Sequence, residues 1–213
     1  MKNLNLDNPI QGKLQDIGDL LFAGILWFVC SVPIITIGPA SSALYYTVVK
    51  VIRHKRGTVF KEFWHSFKDN MGHGIVFTIV YGTIIAANIW FLNQNIGLNS
   101  EKNMPVAIGT SLIVFFTVLT LPYVFPVISR FEDSIWKQMS IIILISIGHI
   151  PTTLILAGLL GLAVVMIYFI PYLMIVIPAP LAYITSLLIE KTFKKHMKVD
   201  QLSNGKETSW FLE

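Results

Sequence analysis

Histidine and cysteine are the residues of this chain that could carry metal or nucleophilic chemistry. His73 and His149 each follow a glycine, in GHGI and GHIP, and each stands at the start of an apolar run. A two-histidine metal site would need further ligands, but the one cysteine, Cys30, lies inside another apolar run, and no His-Glu-x-x-His pattern occurs. Paired carboxylates, nucleophile triads and glycine-rich phosphate loops are also missing. We therefore expect no enzyme activity, no metal and no cofactor.

Polar and small side chains are densest around Gly38-Pro39, where an apolar run is interrupted. A Gly-Pro break frees backbone carbonyls and lets backbones approach closely, so it can line a ligand cavity or form a tightly packed hairpin. Packing is the commoner outcome, and both interpretations stay open. The residues concerned, a structural turn or a ligand site, are Thr36, Gly38, Pro39, Tyr45 and Tyr46.

The composition indicates a membrane protein. Of 213 residues, 54% are hydrophobic and 13% charged, with a mean hydropathy of +0.66, whereas soluble domains carry about 25% charged residues. Backbone polar groups in lipid must be satisfied within each span, so helices are expected and alternating strand patterns are missing. The basic residues flank apolar runs and form no broad face, which argues against nucleic-acid binding.

The apolar runs predict an all-α, polytopic transmembrane helical bundle of six spans arranged as three hairpins. One domain covers residues 1–190, and residues 191–213, beginning just after Glu190, form a soluble cytoplasmic tail. Gly38-Pro39 is the predicted first turn, and 40–51 could instead be re-entrant, which gives an alternative of five spans. The predicted spans are 19–37, 40–56, 72–92, 104–128, 150–170 and 172–189.

Three amphipathic segments accompany the spans. A short interfacial helix is expected within residues 1–17, with Asn8 as N-cap and Pro9 at its first position. Residues 57–70 place Phe60, Phe63, Trp64 and Phe67 on one helical face, and Lys61, Glu62, His65 and Lys68 on the other. In residues 129–139, Ser129 and Glu132 form a capping-box pattern, with Phe131, Ile135 and Met139 on one face. The two aromatic helices either seal the protein's own cytoplasmic side or bind a partner.

The charge distribution predicts the orientation. With six spans, fifteen of the sixteen Lys and Arg residues share one side, and only Lys102 lies on the other. The positive-inside rule places the fifteen, and with them both termini, in the cytoplasm.

Residues 26–70 resemble the YesL family of bacterial membrane proteins. The likeness lies in the turn Pro33-Ile34-x-Thr36-Ile37-Gly38-Pro39-Ala40, the segment Ala43-Leu44-Tyr45-Tyr46, and the aromatic helix ending in Lys68 and Asn70. Arg130-Phe131-Glu132 and the pair His149 and Pro151 fit as well. Members typically carry Arg beside that histidine and proline, where this chain has Ile150 and Thr152.

The resemblance implies a bacterial cytoplasmic membrane protein associated with carbohydrate uptake through binding-protein-dependent ABC importers. We therefore expect an accessory or regulatory subunit that contacts lipid and the sugar permease. The alternative is a small stand-alone transporter or channel for a sugar-like solute. The residues expected to bind the partner are Phe60, Phe63, Trp64, Phe67, Arg130, Phe131 and Glu132.

Overall fold

The computed structural model describes residues 9–96, 104–131 and 133–200, and over these it contains helices and no strand. The all-α prediction is therefore confirmed. The helices are α1 Pro9–Ser31, α2 Ile37–Thr47, α3 Val59–Asp69, α4 Met71–Ile96, α5 Met104–Arg130, α6 Ile135–Gly148, α7 Ile150–Phe169, α8 Leu173–Val176 and α9 Pro178–Asp200. A 3-10 turn, Ile34–Thr36, precedes α2, and a π-helical segment, Val48–Arg53, continues it.

Five stretches within the described residues are long and apolar enough to cross a membrane. They are Gly12–Ser31, Ile34–Arg53, Met71–Phe91, Ile108–Arg130 and Ile150–Phe169. The predicted sixth span, 172–189, is divided between the four-residue α8 and the first half of α9. Both helices of the first predicted hairpin are among these five stretches. The five-span alternative is different, because it removes one of the two crossings of that hairpin and keeps 172–189.

The first hairpin turns earlier than predicted. Helix α1 is continuous from Pro9 to Ser31, so residues 9–17 form no separate interfacial helix, and the expected N-cap Asn8 lies outside the described residues. The predicted turn at Gly38-Pro39 is wrong as well, because both residues lie inside α2. The chain turns at Val32-Pro33, where proline removes a backbone donor and disfavours helix in the residue before it. Gly38-Pro39 lies in the first turn of α2, a position that tolerates proline.

Contacts at two levels show that α1 is antiparallel to the second helix, which is α2 together with its π-helical continuation, residues 37–53. Lys55, just beyond the π-helical segment, forms an ion pair with Asp16, and the Trp27 indole N–H donates to Ser41 Oγ at 3.0 Å. The earlier residue of α1, Asp16, meets the later residue, Lys55, and the later residue of α1, Trp27, meets the earlier one, Ser41. The two helices therefore form a hairpin.

Helix α3 lies alongside α2. Glu62 pairs with Lys50, and further along, Gly74 of α4 packs against Gly38, so the chain runs antiparallel to α2. Helix α3 passes into α4 with little interruption, since Asn70 N–H donates to Ser66 O and Gly74 N–H to Asn70 O.

The predicted capping box at Ser129 is also wrong. Helix α5 continues through Ser129 to Arg130, and the Ser129 hydroxyl donates to Pro126 O at 2.9 Å within that helix. Helix α6 begins at Ile135, with Ser134 in an extended conformation at the N-cap position. The start predicted from the pattern is therefore five residues too early.

Two apolar clusters form the interior. The larger joins α2, α4, α5, α6, α7 and α9 around Tyr45, Phe77, Tyr123, Ile142 and Ile189. The smaller joins α1, α2, α3 and α9 around Ala23, Leu44, Val48, Phe63 and Ala179. The second helix and α9 contribute to both clusters, so they connect the two halves of the core.

Candidate functional site

A buried ion pair joins the end of α5 to α9. Arg130, the last residue of α5, donates from Nη2 to Glu190 Oε1, and each residue is only 5% exposed. Charges are costly to bury unless they are paired and hydrogen-bonded, so this contact holds the two helices in one arrangement. From the sequence, Glu190 was expected only to end the membrane domain, directly before the soluble tail.

The second helix supplies two further polar contacts to α9. Tyr45 OH donates to Glu190 Oε1 at 3.4 Å, and Arg53 Nη1 donates to Ser186 O at 3.0 Å. Tyr45 belongs to α2, whereas Arg53 is the last residue of the π-helical segment, whose wider turn changes side-chain directions relative to an α-helix. We call Tyr45, Arg53, Arg130, Ser186 and Glu190 the polar junction.

The connection between α5 and α6 is fixed beside the polar junction. Gln138 is fully buried and its side-chain amide donates to Phe131 O at 2.6 Å. This bond ties the first turns of α6 to the residue that follows Arg130. Through the Arg130–Glu190 and Arg53–Ser186 contacts, the polar junction holds α5, α9 and the π-helical segment in one arrangement.

A second ion pair fixes α3. Lys50 Nζ lies 2.7 Å from Glu62 Oε2 and donates to Tyr46 OH at 3.0 Å. Glu62 is 8% exposed, although the sequence placed it on the solvated face of its helix. Lys50 thus has a local partner within a candidate span, which offsets the cost of its burial.

The predicted turn residues take part in close packing and in these ion-pair contacts. Gly38 N–H donates to Thr78 Oγ1 at 3.0 Å, and a Cβ at Gly38 would overlap Gly74 O and Thr78 Oγ1. Thr36 Oγ1 donates to Cys30 O at 2.6 Å. Pro39 is buried against Gly74. Tyr45 contacts Glu190, and Tyr46 contacts Lys50. These contacts support the packed-hairpin interpretation.

The residues predicted to bind a partner do not share one surface. Phe63, Phe67 and Arg130 are buried, and Phe131 is half-buried against the larger cluster. Phe60 and Trp64 are 57% and 42% exposed, and Glu132 lies outside the described residues.

Glu190 is the functional candidate that the sequence reasoning missed. It is the first acidic residue after Asp133 and ends a long run without Lys, Arg, Asp or Glu that begins at Gln138. An acid directly joined to such an apolar run is a signal that its carboxylate is held within the bundle.

Comparison with known proteins agrees with the sequence resemblance. Residues 20–93 match the family model described as "Protein of unknown function, DUF624". The chain is 26% identical over 184 residues to "Uncharacterized protein YesL" of Bacillus subtilis (strain 168), covering 82% of this chain and 85% of that protein. The chain is therefore similar to YesL over most of its length. No solved structure matches it.

The histidines of the described residues are not gathered with other ligands. Over the described ranges, no group of three or more His, Cys, Asp or Glu side chains is placed to hold a metal ion. His65 Nδ1 lies 2.9 Å from Asp69 Oδ2 on the exposed side of α3.

An open apolar groove runs along α6. The groove has a volume of about 420 Å³ and is lined by Ser140, Ile143, Leu144, Ile147 and Gly148. Leu144 and Ile147 are 67% and 58% exposed, and Trp136, earlier on the same helix, is 83% exposed. We call Trp136 and these five lining residues the α6 outer face.

Proposed function

We propose that this YesL-like chain is an accessory integral membrane subunit, not an enzyme, that binds the permease of a binding-protein-dependent carbohydrate importer. The carbohydrate part rests on the family resemblance. The binding part rests on the α6 outer face.

The length of α6 is the first support for a docking role. It has 14 residues and so extends about 21 Å, which is shorter than the roughly 30 Å hydrocarbon core. Its other side is anchored, because Gln138, Ile142, Ile145 and Ser146 are buried. A short apolar helix held on one side presents a rigid surface to a neighbour.

The spacing on the α6 outer face suits another helix. Trp136, Ser140, Ile143 and Ile147 follow each other at intervals of four, three and four residues, the repeat by which packed helices meet. Ser140 and Gly148 are small, which permits close approach between helix backbones in a membrane. Trp136 supplies a large aromatic side chain of the kind that dominates interface energies.

Co-purification tests the proposal. The tagged full-length chain is purified from its native membrane in mild detergent, and the permease subunits that accompany it are quantified by mass spectrometry. Trp136→Ala with Leu144→Ala should reduce permease recovery about tenfold or more, since truncating an interface hot spot costs at least about 2 kcal/mol. Leu154→Ala with Val165→Ala is the matched control on α7, where these residues are 54% and 51% exposed.

The outcomes separate the parts of the proposal. Recovery of another class of membrane protein that depends on Trp136 would keep the docking surface and remove the sugar permease. Equal recovery with both double variants would reject the α6 outer face. Sugar uptake by vesicles containing this chain alone would replace the accessory role with stand-alone transport.

A further inference from the structure

We propose that α3 carries a binding surface for the anionic headgroups of membrane phospholipids. The surface consists of Phe60, Lys61, Trp64 and Lys68, and we call it the α3 outer face. It is separate from the α6 outer face and does not depend on the proposed importer.

The α3 outer face is held rigidly. On the opposite side of the helix, Val59, Phe63 and Phe67 are buried in the smaller core cluster. Glu62 fixes the helix further through its ion pair with Lys50. The exposed side chains are therefore presented from a helix that cannot rotate without unpacking the core.

The side chains of the α3 outer face lie together. Residues 61, 64 and 68 are separated by three and four positions, and residues 60 and 64 by four, which places all of them on adjacent parts of one helix side. Lys68 Nζ lies 5.6 Å from the centre of the Trp64 ring, close enough for a cation–π contact. Aromatic and lysine side chains are thus paired on the same surface.

The charge around this surface is positive. Residues 50–70 contain six Lys and Arg but only two acids, Glu62 and Asp69. Glu62 is paired with Lys50, and Asp69 with His65 at 2.9 Å. No ion pair within the described residues involves Lys61 or Lys68, so these two ammonium groups are available for an external anion.

The position of α3 along the chain favours a lipid headgroup as that anion. Asn70 connects α3 directly to α4, whose stretch Met71–Phe91 is a candidate membrane span. Trp64 and Lys68 are therefore within two helical turns of the start of a span. Tryptophan and lysine at such positions contact the headgroup layer, and anionic lipids attract each nearby cation.

Native mass spectrometry of the full-length protein in mild detergent provides the test. The probes are short-chain phosphatidylglycerol, phosphatidylcholine of equal chain length, and inorganic phosphate. We expect stronger binding of phosphatidylglycerol, which weakens as salt is raised and is not displaced by millimolar phosphate. Lys61→Gln with Lys68→Gln should weaken phosphatidylglycerol binding about 25-fold, because each lysine near an anionic surface contributes about a factor of five.

The matched control is Lys13→Gln with Lys137→Gln, which removes two exposed lysines from α1 and α6. It should leave phosphatidylglycerol binding within about twofold of the unmodified protein. Equal loss in both double variants, or equal binding of the two lipids, would overturn the proposal. Displacement by phosphate would identify an ion site in its place. Loss of a co-purified protein with unchanged lipid binding would identify a protein-docking surface, which also overturns it.

Discussion

At the scale of single residues, charge pairing inside the bundle is what distinguishes this chain. Arg130 and Glu190 are sixty positions apart, yet each compensates the other's charge in a buried setting. Tyr45 adds a hydrogen bond to the same carboxylate oxygen. The exposed pair Lys137–Asp133, with its atoms 3.0 Å apart, makes a natural comparison because water already solvates it.

We predict that Glu190→Ala lowers the free energy of unfolding by about 3–5 kcal/mol, because it leaves Arg130 buried without this carboxylate. Asp133→Ala should change it by about 0–1 kcal/mol, as expected for an exposed pair. Chemical unfolding of the purified protein in detergent measures both. Similar small changes for the two variants would show that Arg130 is not held by Glu190.

At the scale of the element, α3 performs two tasks with its two sides. Phe63 and Phe67 stack with ring centres 6.3 Å apart on the buried side, while Trp64 stacks on Phe67 at 5.6 Å and stays partly exposed. Aromatic residues alone therefore do not define one face of this helix. Burial of Glu62 beside Lys50 completes the inner side.

Two phenylalanines of α3 give a matched prediction. Phe63→Ala should lower the free energy of unfolding by about 3–5 kcal/mol, since Phe63 is fully buried and its removal leaves a cavity. Phe60→Ala, three residues earlier and 57% exposed, should change it by no more than about 0.5 kcal/mol. Thermal and chemical unfolding in the same detergent compare them, and equal losses would contradict the assignment of the inner side.

At the scale of the whole molecule, α9 connects parts of the chain that are distant in sequence. Near its start, Ala179 packs beside Gly24 of α1, where a Cβ on the glycine would lie 2.6 Å from Ile175 O. Further along, Ser186 meets Arg53 and Glu190 meets Arg130. Three other helical segments therefore depend on the placement of α9.

Orientation in the membrane is predicted at this same scale from the distribution of charge. In a Cys30→Ser background, Lys13→Cys and Lys61→Cys should react with an impermeant maleimide only after the cells are permeabilised, since both belong to the cationic set. Lys102→Cys, which lies outside the described residues, should react on intact cells. Gly57 is a poor labelling site because its φ is +84° and a Cβ there would lie 2.5 Å from Glu62 Oε1. Labelling of Lys13→Cys or Lys61→Cys from outside would contradict the topology.

The sequence by itself determined the class of the protein and the position of most helices. Long uncharged runs leave a backbone in lipid only helical solutions, so α4, α5 and α7 follow closely the bounds predicted for them. Local rules succeed here because they concern bonds made within one segment.

Only the tertiary structure decided which polar residues lie inside. Helical periodicity placed Glu62 with the solvated residues, and the apolar runs placed Glu190 only at the edge of the predicted tail. Neither pattern contains information about the distant cations Lys50 and Arg130. The place of the first turn also depended on a tertiary contact. Gly38 packs against Gly74 of α4 inside the bundle, and the chain turns at Val32-Pro33. Burial of a charge or a glycine contact depends on a partner from elsewhere in the chain, and folding alone brings the two together.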